Sequence, residues 1–237
     1  MTPPSGSPTC PGSRSASAAS AITSRVARSP ASRVGVGPEL PGQREILDAA
    51  ALAFAQSGFA ATSMDEIAER LGATKGRLYH YYATKADIFG DVVRAGMQEL
   101  IDGVAPIAAR QDLSCADRLW RMAHHHAGLM MTRNSYQRVA VQAVEMHRMG
   151  RGVDAVLEDI FLLRDQYERL FAGVIEEGRQ AGELRDVDPR LATKPVLGAL
   201  NWISLWYDPE RGDFASRARL AEEYADFVVG GLRWSRL

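Results

Sequence analysis

The sequence predicts an all-α fold, and three observations carry that prediction. Apolar residues recur at spacings of three and four along most of the 237-residue chain. Capping residues and glycines punctuate these stretches at helical intervals. No segment alternates apolar and polar residues as a half-buried strand does, and no repeat is visible.

Apolar residues make up 46% and charged residues 24%, the balance of a globular chain long enough to bury a core unaided. Cys10 and Cys115 are too few for a disulfide framework or a four-cysteine zinc site. They point to a reducing compartment and a cytoplasmic location. No run of about 18 apolar residues predicts a membrane span, and the first residues lack the apolar centre of a signal peptide. The net charge is −1, so a claim on nucleic acid rests on local charge. The stretch 74–85 holds Lys75, Arg77 and Lys85 and no acid.

Residues 1–40 are rich in Ser, Ala, Pro and Gly and hold hardly any large apolar side chain. Such a segment cannot offset its ordering entropy, so a disordered tail is expected. It reads as an inert tail, an extension ahead of the true start, or a basic arm touching DNA. Regular structure is predicted from Pro41. Ile46, Ala50, Ala53 and Phe54 recur helically over 44–56, and Gly58 stops the run. Ser63 with Glu66 forms a capping box, opening a helix whose apolar face is Met64, Ile67, Ala68 and Leu71. Gly72 ends it in the left-handed conformation. Thr74 caps a second short helix over 75–82, with Leu78 and Tyr82 turned inward. Thr84 caps a fourth helix, with Asp87 at its third position.

Further helices are predicted from Ser114 to about Thr132, over 135–149, over 153–178, from Pro189 to Tyr207 behind an Asp188 cap, and over 214–232.

Two short helices joined by a glycine-containing turn form a helix-turn-helix, whose second helix enters the major groove by its N-terminal end. Here that end is Thr74, Lys75, Gly76 and Arg77. Lys75 and Arg77 can reach guanine edges or phosphates. Gly76 lets the backbone approach closely, and Tyr79, His80 and Tyr81 face the groove walls. The N-termini behind Ser63, Thr74 and Thr84 carry free N–H groups suited to phosphates. A second reading stands beside this one: the charges are a solvated face and the tyrosines are packing.

The run Gly58-Phe59-x-x-Thr62-Ser63-Met64-x-x-Ile67-Ala68-x-x-Leu71-Gly72-x-x-Lys75-Gly76-x-Leu78-Tyr79-x-Tyr81-Tyr82-x-x-Lys85-x-x-Ile88 resembles the DNA-binding domain of the tetracycline repressor (TetR/AcrR) family. The resemblance spans residues 43–93. It implies that Tyr79, Tyr81 and Lys85 hold phosphates, with Thr62 and Ser63 doing so at the preceding helix. It implies that Thr74, Lys75, Gly76, Arg77 and His80 face bases or nearby backbone. Tyr81 stands where His is common and Tyr82 where Phe is common, both aromatic exchanges. Arg77 occupies a variable position, so the operator cannot be read off.

The implied organisation is a tail over 1–40, a three-helix helix-turn-helix domain over 41–94, and a helical effector-binding and dimerisation domain over 95–237. The segment from Ala199 to Pro209, with Gly230, Gly231 and Leu232, is similar to family members that answer to acyl-CoA thioesters. The family pairs its last two long helices across a two-fold axis. Trp202, Leu205, Trp206, Tyr224, Phe227 and Val228 are therefore candidate interface anchors, or else internal core. An effector pocket is expected among Trp120, Met122, His126, Met130, Phe161 and Tyr167, which are adaptable side chains that equally suit plain core.

His124, His125 and His126 are about 100° apart on a helix and diverge, so no metal site is expected. Three functions are weighed. The first is a ligand-responsive repressor that leaves a pseudo-palindromic operator when a small hydrophobic or acyl-CoA effector binds. The second is an all-helical enzyme. No phosphate loop, nucleophile motif or Glu-x-x-His pair supports it, so no catalytic residue and no cofactor are expected. The third is an interaction module that ignores DNA. The first implies double-stranded DNA and a second copy of the chain as partners, and no membrane.

Overall fold

A computed structural model describes residues 42–148, 154–211 and 214–233. The expected tail over 1–40, and the expected helix end at Met149 and start at Val153, lie outside these residues. The described residues form nine helices: α1 (Gln43–Ala61), α2 (Met64–Leu71), α3 (Lys75–Tyr81), α4 (Lys85–Ala108), α5 (Cys115–Thr132), α6 (Asn134–Arg148), α7 (Asp154–Gln180), α8 (Pro189–Trp206) and α9 (Phe214–Gly230). Their only extended pairing is an isolated bridge between Leu184 and Arg233.

Local chemistry sets most boundaries. Gly58 breaks α1 at a positive φ of 77° with ψ 161°, and the chain resumes helix to Ala61. Gly72 closes α2 at φ 64°, where its N–H reaches the Ala68 and Glu69 carbonyls. Ser63 accepts the Glu66 N–H at 3.1 Å. The reciprocal half of the expected capping box is missing, because the Glu66 carboxylate instead pairs with Arg70 and accepts from Ser57. Thr74 sits at the cap of α3 without a side-chain bond, whereas Thr84 and Asp87 form a complete box at α4. Ser114 and Asp188 cap α5 and α8, with Pro189 at the first position of α8.

The first three helices pack on the start of α4 around Ile46, Phe54, Ile67, Leu78 and Phe89, all fully buried. Phe54, Phe59 and Phe89 meet edge-on or tilted at 4.9–5.9 Å between centroids. α4 then continues without interruption past the expected domain boundary at 94 and 95. Ile88, Val92, Leu100 and Val104 keep one face buried along its 24 residues. Beyond residue 94, α4 packs on α6 and α7, and α5 on α7, α8 and α9. α6 also packs on α1, so it touches both parts of the chain.

Gly178 near the end of α7 is a packing requirement. A Cβ there would lie 2.6 Å from Leu184 Cδ1 and 2.9 Å from Cys115 Cβ. Alanine is the better helix former by about 1 kcal/mol, but overpacking costs about 1–3 kcal/mol. Gly178→Ala is expected to lower the unfolding free energy by about 1–2 kcal/mol in urea denaturation; a gain would mean that Leu184 moves aside freely.

Candidate nucleic-acid interface and ligand cavity

α3 is fixed by its inner side. Leu78 is fully buried and Tyr82 is 5% exposed. The Tyr82 hydroxyl accepts from Gln43 Nε2 at 2.9 Å and donates to Asp91 at 3.0 Å, bolting α3 between α1 and α4. Thr74, Lys75, Gly76, Arg77, Tyr79 and His80 are therefore left on the exposed side, with Tyr81 half-buried and edge-on to His80 at 5.1 Å. Gly42 brings α1 against α3 at φ 89°, where a Cβ would lie 3.1 Å from Arg77 Nη2 and 3.2 Å from Tyr81 Oη.

The two basic groups on this face are paired. Lys75 meets Asp65 at 3.0 Å, which raises the lysine pKa. Arg77 meets Glu45 at 2.5 Å. Both pairs are well exposed, and exposed pairs are weak enough for a phosphate to take the carboxylate's place. Ser63 is exposed, its oxygen capping α2.

Two expected phosphate ligands make hydrogen bonds within the protein. Thr62 is 1% exposed, and its hydroxyl donates to the Gly58 carbonyl at 2.8 Å and the Ala53 carbonyl at 3.3 Å. Its N–H also bonds to Gly58, so neither group is offered to a phosphate. Lys85 turns its ammonium inward, donating to the Phe59 carbonyl at 2.6 Å and the Thr62 carbonyl at 2.5 Å. It also lies 4.5 Å from the Phe59 ring centroid. The broken end of α1 leaves carbonyls without helical partners, and a half-buried cation satisfies them.

A small cavity open to solvent lies between α4, α5, α6, α7 and α8. Met97, Leu100, Ala140 and Leu197 form its apolar walls, and Gln137, His126, Tyr167, Asn201, Arg164 and Glu168 its polar and charged surface. His126 is 1% exposed, with Nδ1 2.8 Å from the Tyr167 hydroxyl and Nε2 3.1 Å from Asn201 Oδ1. Burial pushes the imidazole pKa down to about 3, so the ring is neutral near pH 7. Burial likewise raises the Tyr167 pKa.

Of the six expected pocket residues, His126 and Tyr167 line this cavity. Met122 and Met130 are core, at 0% and 1% exposure. Trp120 instead donates to Asp226 on α9 at 2.7 Å and stacks on His124. Phe161 is half-buried against the core. Gln137, Arg164 and Glu168 carried no motif of their own, and Asn201 fell within the segment from Ala199 to Pro209 without being singled out. The three adjacent histidines diverge: His124 on Trp120, His125 against Gly103, and His126 at the cavity.

α6 joins the cavity to the first helices. Gln137 lines the cavity and donates to the Gly96 carbonyl on α4 at 3.2 Å. Its neighbour Tyr136 is 2% exposed and donates to Asp48 on α1 at 2.7 Å. Arg133 bonds Glu99 on α4 at 3.0 Å and stands 4.4 Å from the Tyr136 ring centroid.

On the outer face of α8 and α9, Trp202, Leu205, Trp206 and Phe227 are 60%, 42%, 46% and 74% exposed. Tyr224 is half-buried and stacks on Trp206. Val228 is 6% exposed and faces the core, the second of its two expected places: one helical step turns it about 100° from Phe227. No described helix is long and apolar enough to cross a membrane.

Two family models match the chain. One, for bacterial regulatory proteins of the tetR family, matches residues 46–92, and one for the tetracyclin repressor-like C-terminal domain matches residues 112–232. The HTH-type transcriptional repressor KstR2 of Mycobacterium tuberculosis is 27% identical over 198 residues, covering 79% of this chain and 91% of that protein. The TetR family transcriptional regulator PfmR from Thermus thermophilus has a crystal structure similar to this one, with a TM-score of 0.68 at 27% identity, covering 80% and 99% of the two chains. The crystal structure of AibR in complex with isovaleryl coenzyme A and operator DNA is similar at a TM-score of 0.65 and 26% identity, covering 81% and 97%.

Removing the inward-turned ammonium is expected to loosen the end of α1. Lys85→Ala should lower the unfolding free energy by about 1–2 kcal/mol, read by urea denaturation without DNA. An unchanged midpoint would show that these bonds carry no stability.

Proposed function

The chain belongs to the tetracycline repressor family of bacterial regulatory proteins, and we propose that it is a ligand-responsive repressor that holds a pseudo-palindromic operator as a homodimer. The observation that carries this reading is the exposed end of α3, where Thr74, Lys75, Gly76 and Arg77 stand free of the core while Leu78 behind them is fully buried. A helix so held presents side chains to a major groove without reorganising its own packing. Tyr79, Tyr81 and Ser63 flank that end and contact the phosphates, while Arg77 reads a base and His80 faces the bases or nearby backbone. Thr62 and Lys85 act behind this surface by holding α1, α2 and α4 together.

A homodimer is supported by the exposed apolar stripe of Trp202, Leu205, Trp206 and Phe227, which is costly to leave in water. Two copies joined there place two recognition helices about one duplex turn, roughly 34 Å, apart. The effector occupies the cavity around His126 and Tyr167. An acyl-CoA-type or other hydrophobic effector is supported by the apolar walls and by the likeness to AibR, whose structure contains isovaleryl coenzyme A and operator DNA. Release follows if the occupied cavity displaces α6, because Tyr136 and Gln137 tie that helix to α1 and α4.

Selection of genomic fragments followed by fluorescence anisotropy tests this reading. Arg77→Ala is expected to cost about 1–3 kcal/mol on the selected site and little on random DNA. Lys75→Ala should weaken binding to every duplex and lower the salt slope by about 0.9. Equal loss from Arg77→Ala on random DNA would remove its base-reading role. A folded dimer that binds no fragment at low salt would remove the repressor.

A further inference from the structure

Arg77 is held from α1 as well as from its own helix. Its Nη2 donates to the Glu45 carboxylate at 2.5 Å, across 32 residues of sequence. The same nitrogen lies against Gly42, where a Cβ would approach it to 3.1 Å. Gly42 is the N-cap of α1, left-handed at φ 89°. The guanidinium therefore rests on the first turn of α1.

That turn is itself fixed. Ile46 is fully buried. Gln43 Nε2 donates to the Tyr82 hydroxyl at 2.9 Å, and that hydroxyl donates to Asp91 on α4 at 3.0 Å. The backbone carrying Glu45 thus keeps one place relative to α3. The Glu45 side chain is 63% exposed and that of Arg77 41%, so the pair adds little to stability. Its consequence is geometric. A guanidinium is a planar fork, and it reads a guanine only when the fork lines up with the base edge. The bond to Glu45 occupies Nη2 and leaves the other N–H groups of the fork for a base. Lys75 differs, although it meets Asp65 at 3.0 Å. An ammonium is a point charge on a flexible stem and takes no plane from its partner.

We propose that Glu45 is a specificity-determining residue, which orients the Arg77 guanidinium toward one base pair of the operator and stays bonded to it in the complex. This rests on the reading of Arg77 as a base contact. Phosphates carry no sequence information, and a loose arginine finds them on any duplex. On random DNA a phosphate must displace the Glu45 carboxylate to gain Arg77. A guanine uses the remaining N–H groups and leaves the pair intact. Glu45 is a positioning residue, and it lowers affinity for DNA at large while sharpening the choice of one base pair.

Fluorescence anisotropy of the full chain tests this on the selected operator, on operators with one base pair exchanged at each position, and on a random duplex. Arg77→Ala first locates the base pair: its exchange should cost the unaltered chain at least about tenfold and the variant nothing. There, Glu45→Ala is expected to cut discrimination at least about threefold, leave the other positions unchanged, and raise affinity for the random duplex. Each discrimination ratio compares two duplexes on one protein, so the general gain from removing a negative charge cancels. With Arg77→Ala already present, Glu45→Ala should alter no ratio. If Glu45→Ala does not fold, Glu45→Ser, too short to reach Arg77, serves in its place with the same expectation. Full discrimination at that base pair, or an equal loss at every position, in a folded Glu45 variant would overturn the proposal and leave Arg77 as a base contact. If Arg77→Ala abolishes the preference at no position, the base contact and the orienting role both fall.

Discussion

A buried tyrosine hydroxyl must find an acceptor, and for Tyr136 the acceptor belongs to another part of the chain. Its side chain lies on α6 at 2% exposure, and the carboxylate of Asp48 on α1 receives its hydrogen at 2.7 Å. Burial first, and then this bond, raise the phenol pKa, so the group stays a donor. Arg133 and Arg44 lie 4.4 and 5.7 Å from the ring centroid, and Arg133 also reaches Glu99 on α4. The Asp48 carboxylate is itself half exposed, so the bond sits at the rim of the interior. α6 is thereby bonded to α1 through Tyr136 and to α4 through Arg133, and Gln137, one residue along from Tyr136, is part of the cavity wall.

The electrostatics of the outer face follow a different rule. The chain carries a net charge of −1, and the basic groups of α3 are shared with Asp65 and Glu45. Such pairs keep Lys75 and Arg77 extended along the surface at little cost in stability. In protein–DNA binding generally, release of counterions by basic side chains supplies much of the affinity. Lys85 stands apart, because its partners are carbonyls at the end of α1.

Much of the first half was legible because its signals are local. Ser63, Gly72 and Thr84 act within four residues of themselves, and Leu78 and Tyr82 follow from helical spacing. The destinations of Thr62 and Lys85 were not legible, since they depend on where a kinked α1 ends in space. The cavity was legible only at His126 and Tyr167. Its partners come from separate helices, with Asn201 lying 75 residues from His126, and no spacing rule links them. At the apolar stripe the helices were right, and one step decided the rest: Phe227 points out and Val228 points in.

The most direct measurement is the operator affinity of Tyr136→Phe with and without a ligand that fills the cavity, read by fluorescence anisotropy beside the unaltered chain. A coupling of about 1–3 kcal/mol changes affinity roughly 5–150-fold. If the Tyr136–Asp48 bond carries it, the variant should bind ligand and operator separately as before, and the ligand should shift operator affinity by several-fold less. An undiminished shift in a folded variant would contradict α6 as the connection between the cavity and the DNA-facing helices.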